Sequence, residues 1–227
     1  MPAFPTRAHS RALVAVIAVA ALAGCSFSAP DLDGVTAVEE RTVDAFNRIE
    51  VNGSGDVDIT VGGGRSVTVT GDTALLEGVR ASVSDGVLAL DGPDGAWGWT
   101  DGAVHYAITV PDLAGLELSG SGDVMVDGLN SSAFGIELTG SGSVKVDGVT
   151  DELHIALDGA GLTDAAMLRA RHATVDLSGS GDVTVNADTT LDVEISGAGD
   201  VTYLGSPQVS ADTSGSGVVR AADRDES

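Results

Sequence analysis

The chain has 227 residues and a formal net charge of −23, from 34 acidic residues against 11 basic ones. So acidic a chain has no basic surface to displace counterions from a phosphate backbone, which excludes nucleic acid as a partner. Like-charge repulsion also argues against direct binding to anionic lipid headgroups, and a single cysteine excludes an intrachain disulfide framework.

The first 24 residues predict a targeting segment. Arg7 and Arg11 lie in a basic start, and the apolar run from Ala12 to Gly24 is too short to span a bilayer. The junction Leu22-Ala23-Gly24-Cys25 resembles a bacterial lipobox, with Cys25 at the lipidation position. The alternative is an ordinary signal peptide followed by a chance cysteine. The lipoprotein interpretation predicts a protein anchored through two or more acyl chains and facing the extracytoplasmic side.

Residues 25–42 are polar and pattern-poor and are predicted to form a flexible tether. Residues 43–112 read as an irregular β region, with one short helical turn at 73–78 and a hairpin signal at Ser84-Asp85-Gly86. Its predicted strands are 45–51, 57–61, 66–70, 81–83, 87–90 and 104–110. The glycine-rich stretch 91–102 carries Trp97 and Trp99, which either bind a sugar or partner or cover an open end of the fold.

A ten-residue pattern recurs along the rest of the chain, as in Glu117–Val126 and Asp176–Val185. Each copy contains a Gly-x-Gly corner, and an outlying copy lies at 50–59. The first corner glycines are Gly53, Gly120, Gly140, Gly159, Gly179, Gly197 and Gly215. From Gly120 onward they are separated by 20, 19, 20, 18 and 18 residues, a near-constant step typical of a solenoid.

Apolar residues alternate with polar ones on both sides of every corner, which predicts two half-buried strands per coil. The second corner residue is glycine in all seven copies, so it needs either a positive φ or space that a Cβ would fill. The sequence therefore predicts an all-β parallel β-helix of about six coils of 18–20 residues, with an irregular N-terminal cap. Residues 43–222 form one domain in this prediction, with regular coils over 113–222 and a polar tail at 223–227.

The whole pattern resembles the bacterial DUF2807 family, an adhesin-head (GIN) domain. Three features carry the resemblance: the opening at 41–51, the repeated Ser-Gly-Ser-Gly corners, and the ending Asp200 to Pro207 followed by 214–217. The resemblance implies a right-handed parallel β-helix on an exported or lipid-anchored protein, and an adhesive role. The copy at Gly159 departs from the pattern, because Leu162 and Thr163 replace the usual Asp-Val, so a local distortion is expected there.

Acidic residues recur at outward positions on both sides of the corners. If coils stack in register, equivalent carboxylates lie one strand spacing apart, and such a rail could bind Ca²⁺ or another hard cation. The alternative is a solvated acidic face whose Asp side chains accept hydrogen bonds from corner amides. The rail would consist of Glu117, Glu137, Asp176 and Glu194 before the corners and Asp123, Asp182 and Asp200 after them.

No catalytic arrangement stands out from the repeat. Asp182 and Asp200 could in principle act as acid and base, but a residue that recurs in every coil needs only a structural reason. We therefore predict a non-catalytic envelope lipoprotein with a structural or surface-interaction role, no cofactor and an unidentified surface partner. A carbohydrate-active β-helix enzyme and a cation-responsive envelope sensor are the alternatives.

Overall fold

The computed structural model describes residues 34–92 and 104–222. Cys25, Trp97, Trp99 and the predicted tail at 223–227 lie outside the described residues. The described chain is built almost wholly of strands, with a single short helix among these residues. The elements are β1 (Thr36–Glu40), β2 (Arg48–Gly53), β3 (Asp56–Val61), β4 (Ser66–Asp72), α1 (Thr73–Leu76), β5 (Arg80–Ser84), β6 (Val87–Asp91), β7 (Val104–Val110), β8 (Gly115–Gly120), β9 (Asp123–Gly140), β10 (Ser143–Gly159), β11 (Leu162–Gly179), β12 (Asp182–Gly197), β13 (Val201–Gly205), β14 (Gln208–Gly215) and β15 (Val219–Ala221).

The N-terminal part forms as its local signals predict. Asp72 caps α1 by accepting a hydrogen bond from the Ala74 amide at 3.0 Å. The Asp-Gly turn joins β5 to β6 as an antiparallel hairpin, with positive φ at both Asp85 and Gly86. One prediction is wrong: the region given as a flexible tether contains β1, which pairs antiparallel with β4. Five residues with two glutamates give too short a pattern to predict a strand.

The regular coils stack in the predicted register. Gly120, Gly140, Gly159, Gly179, Gly197 and Gly215 pair in sequence from one coil to the next, so the six corners bound about five turns, where about six coils were predicted. The outlying copy joins the same column, because Gly53 pairs with Gly120 across 66 intervening residues (120 − 53 − 1 = 66). The solenoid therefore continues through β2 and β3 into the irregular region.

Each of the long strands β9 to β12 runs from one corner to the next and takes part in two walls of the solenoid. One wall runs β1-β4-β7-β3-β9-β10-β11-β12-β13-β15. The other wall runs from β5 through β6, β2 and β8 into the same long strands and ends at β14. Antiparallel strands β1, β4 and β5 therefore lie at the N-terminal end, and parallel strands β14 and β15 lie at the other.

Columns of aliphatic side chains fill the interior. Ile136, Ile155 and Val175 occupy one such column and are fully buried, because period-two alternation directs every second residue inward. Phe46, Leu75 and Leu76 continue this core at the N-terminal end, where α1 packs against β4.

The two glycines of each corner are required for different physical reasons. Gly179, the first of its corner, has a φ of 119°, which side-chain-bearing residues rarely adopt. Gly181, the second, is not among the positive-φ residues; a Cβ there would collide with the Gly161 carbonyl oxygen and with Leu157 of the preceding coil. Close stacking is therefore the reason for this invariant glycine.

The expected distortion at Leu162 and Thr163 lies a few residues later. These two pair regularly with Ser143 and Val144, and the register shifts only after Asp164 on the β10 side and after Ala165 on the β12 side. Because the alternation is kept, Leu162 points outward and is 47% exposed, whereas Thr163 is fully buried with no hydrogen-bond partner for its hydroxyl.

Candidate functional site

Two outer surfaces carry the acidic residues singled out above. The pre-corner face is the outer surface of β2, β8, β14 and the segments of β9 to β12 that end at each corner. The post-corner face is the outer surface of β3, β13, β15 and the opening segments of β9 to β12. Stacking in register turns each repeated outward residue into a column that crosses neighbouring strands.

On the pre-corner face, carboxylates stand in two groups. Glu117 lies between Glu50 and Glu137 on the adjoining strands, and this group ends at Ala156. The pKa of Glu117 is raised, first by partial burial and then by the negative charges of Glu50 and Glu137. The second group is Asp176, Glu194 and Asp212, which follow one another on β11, β12 and β14.

On the post-corner face, the aspartates bind the next coil. Asp182 accepts a hydrogen bond from the Asp200 amide at 3.0 Å, and Asp200 accepts one from the Val218 amide at 3.0 Å. Asp200 also pairs with Arg220 at 2.6 Å. The hydrogen bond from Arg220, followed by that from the Val218 amide, lowers the pKa of Asp200. These two hydrogen bonds outweigh the desolvation of the carboxylate, which acts in the opposite direction.

The structure brings the predicted rail residues together as pairs. Glu117 pairs with Glu137, Asp176 with Glu194, and Asp182 contacts Asp200. Asp123 stands apart from the last of these pairs and accepts a hydrogen bond from Ser143 at 2.5 Å. Within residues 34–92 and 104–222, no group of three or more His, Cys, Asp or Glu side chains is arranged to hold a metal ion.

The pre-corner face also bears two open grooves that meet at Glu137. One has a volume of about 510 Å³, and Asp176, Glu194, Ser178 and Ser196 are among the residues that line it. The other has a volume of about 460 Å³ and includes Glu117, Arg48 and His154. The outward residues of the first groove are small or carboxylate-bearing, so it offers hydrogen-bond acceptors, whereas the second groove adds the donors of Arg48 and His154.

Histidine side chains also make contacts between strands. His105 lies 3.4 Å from Asp58, and His154 lies 3.8 Å from Asp176. His172 shares a hydrogen bond of 2.8 Å with Thr190. Each ring is at least partly exposed, and each contact joins neighbouring strands of the stack.

Sequence reasoning missed the exposed apolar side chains. Met125, Val149, Leu162 and Met167, in β9 to β11, are 42 to 67% exposed. Val209 and Val218 in the last coil are exposed as well. The sequence did signal an exposed apolar residue at Leu162, because Leu162 stands where the repeat usually has Asp. It gave no such signal for Val209, because the exposure of Val209 depends on what packs against the last coil.

Stacked parallel coils, glycine corners that exclude a Cβ and acidic outer columns define the protein as a parallel β-solenoid. The chain belongs to the DUF2807 family, whose model, described as "Putative auto-transporter adhesin, head GIN domain", matches residues 45–207. Curated proteins gave no match.

Solved structures of three bacterial proteins share the fold. A protein from Bacteroides fragilis described as a putative adhesin is 24% identical, with a TM-score of 0.69, covering 84% of this chain and 99% of its own. A putative adhesin from Parabacteroides distasonis is 20% identical, with a TM-score of 0.56 and coverages of 84% and 98%. A protein from the same species described as a putative lipid binding protein is 20% identical, with a TM-score of 0.52 and the same coverages.

Proposed function

We propose that this protein is an exported lipoprotein, anchored through Cys25, whose solenoid serves in non-catalytic, adhesin-like interaction at the cell envelope. The observation that carries the proposal is the junction Leu22-Ala23-Gly24-Cys25 directly ahead of a domain of an adhesin-described family. Among the described residues, no helix is both long enough and apolar enough to cross a membrane.

The arrangement of carboxylates supports a non-catalytic role. Asp182 and Asp200, the one acid-base pair that the repeat suggested, both accept hydrogen bonds from amides of the following coil. A carboxylate held in this way stabilises the stack, and its recurrence follows from that task. The carbohydrate-active alternative predicts turnover of a polysaccharide panel, and we expect none.

The anchor is tested by the Cys25→Ser variant. A thioether-linked diacyl group at Cys25 should send the wild type into the detergent phase on phase partitioning, whereas the variant should be mislocalised or released. Mass spectrometry of the N-terminal peptide would identify the modification. Equal partitioning of both proteins would contradict the proposed anchor and leave the fold assignment untouched.

A further inference from the structure

The first groove of the pre-corner face crosses the strands between two rows of outward side chains. It extends over β9, β10, β11, β12 and β14, which is four strand spacings or about 19 Å. The carboxylate row, three residues before the corners, holds Glu137, Asp176, Glu194 and Asp212, with Ala156 on β10. The hydroxyl row, one residue before the corners, holds Asp158 on β10 and a serine or threonine on each of the other four strands.

The carboxylates of this groove do not hold the coils together. Four of the five side chains form no hydrogen bond or ion pair with any residue of 34–92 or 104–222: Glu137, Asp158, Glu194 and Asp212. The fifth, Asp176, lies 3.8 Å from His154. The post-corner aspartates, in contrast, accept hydrogen bonds from amides of the next coil. Because neighbouring carboxylates repel one another, folding alone does not favour the series in the groove.

The charge of the groove limits what can occupy it. Of the described residues that line it, five are acidic and none is basic. Residues 25–33, 93–103 and 223–227, which lie outside the described residues, contain seven acidic residues (two, two and three) and a single basic one, Arg224. A second copy or another segment of this chain would therefore add negative charge to the groove. Charge complementarity instead favours a cationic partner.

The spacing of the carboxylates favours a polymer over a metal ion or a single amine. No three His, Cys, Asp or Glu side chains in the described parts of the chain are arranged to hold a metal ion. Neighbouring strands instead set carboxylates about 4.8 Å apart along the groove. A single exposed ion pair contributes little, so useful affinity needs several cations in a line. A basic peptide supplies these cations, and its backbone amides supply donors and acceptors for the hydroxyl row.

We propose that the first groove binds an extended, lysine- and arginine-bearing segment of a partner protein. Its basic side chains face the carboxylate row, and its backbone faces the hydroxyl row. About six residues cover the length of the groove, at about 3.1 to 3.4 Å per residue. Ala156 leaves room for the segment at the centre, where the carboxylate is carried by Asp158 in the opposite row. This inference rests on the proposed surface-interaction role and names the class of its partner.

Removal of charge tests the carboxylate row. The full chain in neutral detergent is titrated at low salt with the peptide acetyl-(Lys-Ser)3-amide, and calorimetry measures binding. Glu194→Gln with Asp212→Asn should raise the dissociation constant by about tenfold. Asp112→Asn with Asp127→Asn is the matched control, because it removes two charges from exposed residues outside the groove and should change binding by less than about twofold. Equal weakening in both variants, or no binding by the wild type, would overturn the proposal.

A bulky substitution tests the groove at constant charge. Ala156→Phe fills the centre of the groove, and we expect it to weaken binding of the same peptide by about tenfold. Thr184→Phe is the control, since Thr184 is an equally half-buried outward residue of the post-corner face. Unchanged melting temperatures show that both variants are folded. Undiminished binding by Ala156→Phe would contradict binding in this groove.

Spermine separates a peptide ligand from a small polyamine. Its protonated amines can pair with the carboxylate row, but they offer no acceptor to the hydroxyl row. We therefore expect spermine to displace the peptide only at concentrations above those at which the peptide itself binds. Displacement at lower concentrations would overturn the assignment of a peptide as the ligand.

Beads that carry the peptide separate this inference from the proposed envelope role. Cells that make the wild type should capture the beads, and cells that make Glu194→Gln with Asp212→Asn should capture fewer. Binding in detergent without capture by cells would contradict the surface role alone. Failure of the peptide to bind in detergent, while the wild type still enters the detergent phase on partitioning, would contradict the groove assignment alone.

Discussion

At Gly181 the stack tolerates no side chain beyond hydrogen. A Cβ at this position would meet the Leu157 side chain and the backbone of Gly161, and that backbone cannot move without displacing the preceding coil. Ser180, its neighbour in the same corner, is exposed. Steric contact between coils, and not the backbone conformation of Gly181, is therefore what a substitution would disturb.

We expect Gly181→Val to lower the free energy of unfolding by about 3 kcal/mol or more, or to prevent folding, because overpacking forces the coils apart. Ser180→Val is the matched control and should change stability by no more than about 0.5 kcal/mol. Thermal and urea melts of the two variants measure this. Similar melting temperatures would show that the coils have room at this corner.

Thr163 places a hydroxyl where other coils have valine. Its side chain is fully buried without a hydrogen-bond partner, although Val144 and Val183 on the adjoining strands fill the same column. An unsatisfied buried hydroxyl loses its hydration without compensation.

We expect Thr163→Val to stabilise the protein by about 1 to 2 kcal/mol, since it replaces the hydroxyl with a methyl group of similar size. Thr174→Val, at an exposed outward position, is the control and should have an effect within about 0.5 kcal/mol. Urea unfolding measures both. A loss of stability in Thr163→Val would mean that the hydroxyl has a hydrogen-bond partner in solution.

At the scale of the element, adjacent strands force carboxylates into columns. Glu117 on β8 has Glu50 on β2 and Glu137 on β9 as its neighbours, and its pKa is raised. In the unfolded chain these charges are spread out, so the folded state holds the proton more tightly. The contribution of Glu117 to stability therefore falls as pH rises from the unfolded pKa through the folded one.

Glu117→Gln should accordingly stabilise the protein at about pH 7 and lose that advantage at about pH 3, where the carboxyl is protonated in both states. Solvent screening keeps the gain to about a few tenths of a kcal/mol. Glu152→Gln is the control, because the strand neighbours of Glu152 are Ala133 and His172. Melts at both pH values measure the effect. A gain in Glu117→Gln that is the same at both pH values would contradict an electrostatic cause.

At the scale of the whole molecule, the acidic surface opposes folding. Once the predicted signal is removed, 9 basic and 34 acidic residues remain, a charge of 9 − 34 = −25. Folding gathers this charge onto stacked columns, so the compact state bears more repulsion than the unfolded chain.

Added salt should therefore raise the melting temperature at about pH 7 by screening these charges. We expect calcium chloride and sodium chloride at matched ionic strength to stabilise equally, because no carboxylate group within residues 34–92 and 104–222 is arranged to hold a metal ion and Asp200 is held by Arg220. Greater stabilisation by calcium would indicate a cation site and support the hypothesis that Glu117, Glu137, Asp176 and Glu194 bind a cation. Thermal melts decide between these outcomes.

The sequence by itself determined the repeat, the strands on either side of each corner and the need for glycine at the corners. This was possible because every coil packs against its neighbours in the same way, so the same residue types recur at equivalent positions in all seven copies. Even Glu117 beside Glu137 followed from register, since equivalent residues of stacked strands are neighbours.

Only the tertiary structure decided how the ends are made. Nothing in the sequence between Gly53 and Gly120 shows that these two corners touch, because the pairing skips the irregular strands. The role of β1, the partner of Asp200 and the exposure of β14 likewise depend on contacts between residues far apart in the chain. The repeat pattern reflects the packing of an internal coil between two neighbouring coils. A terminal coil has a neighbouring coil on one side only, so the pattern does not predict how its other side is covered.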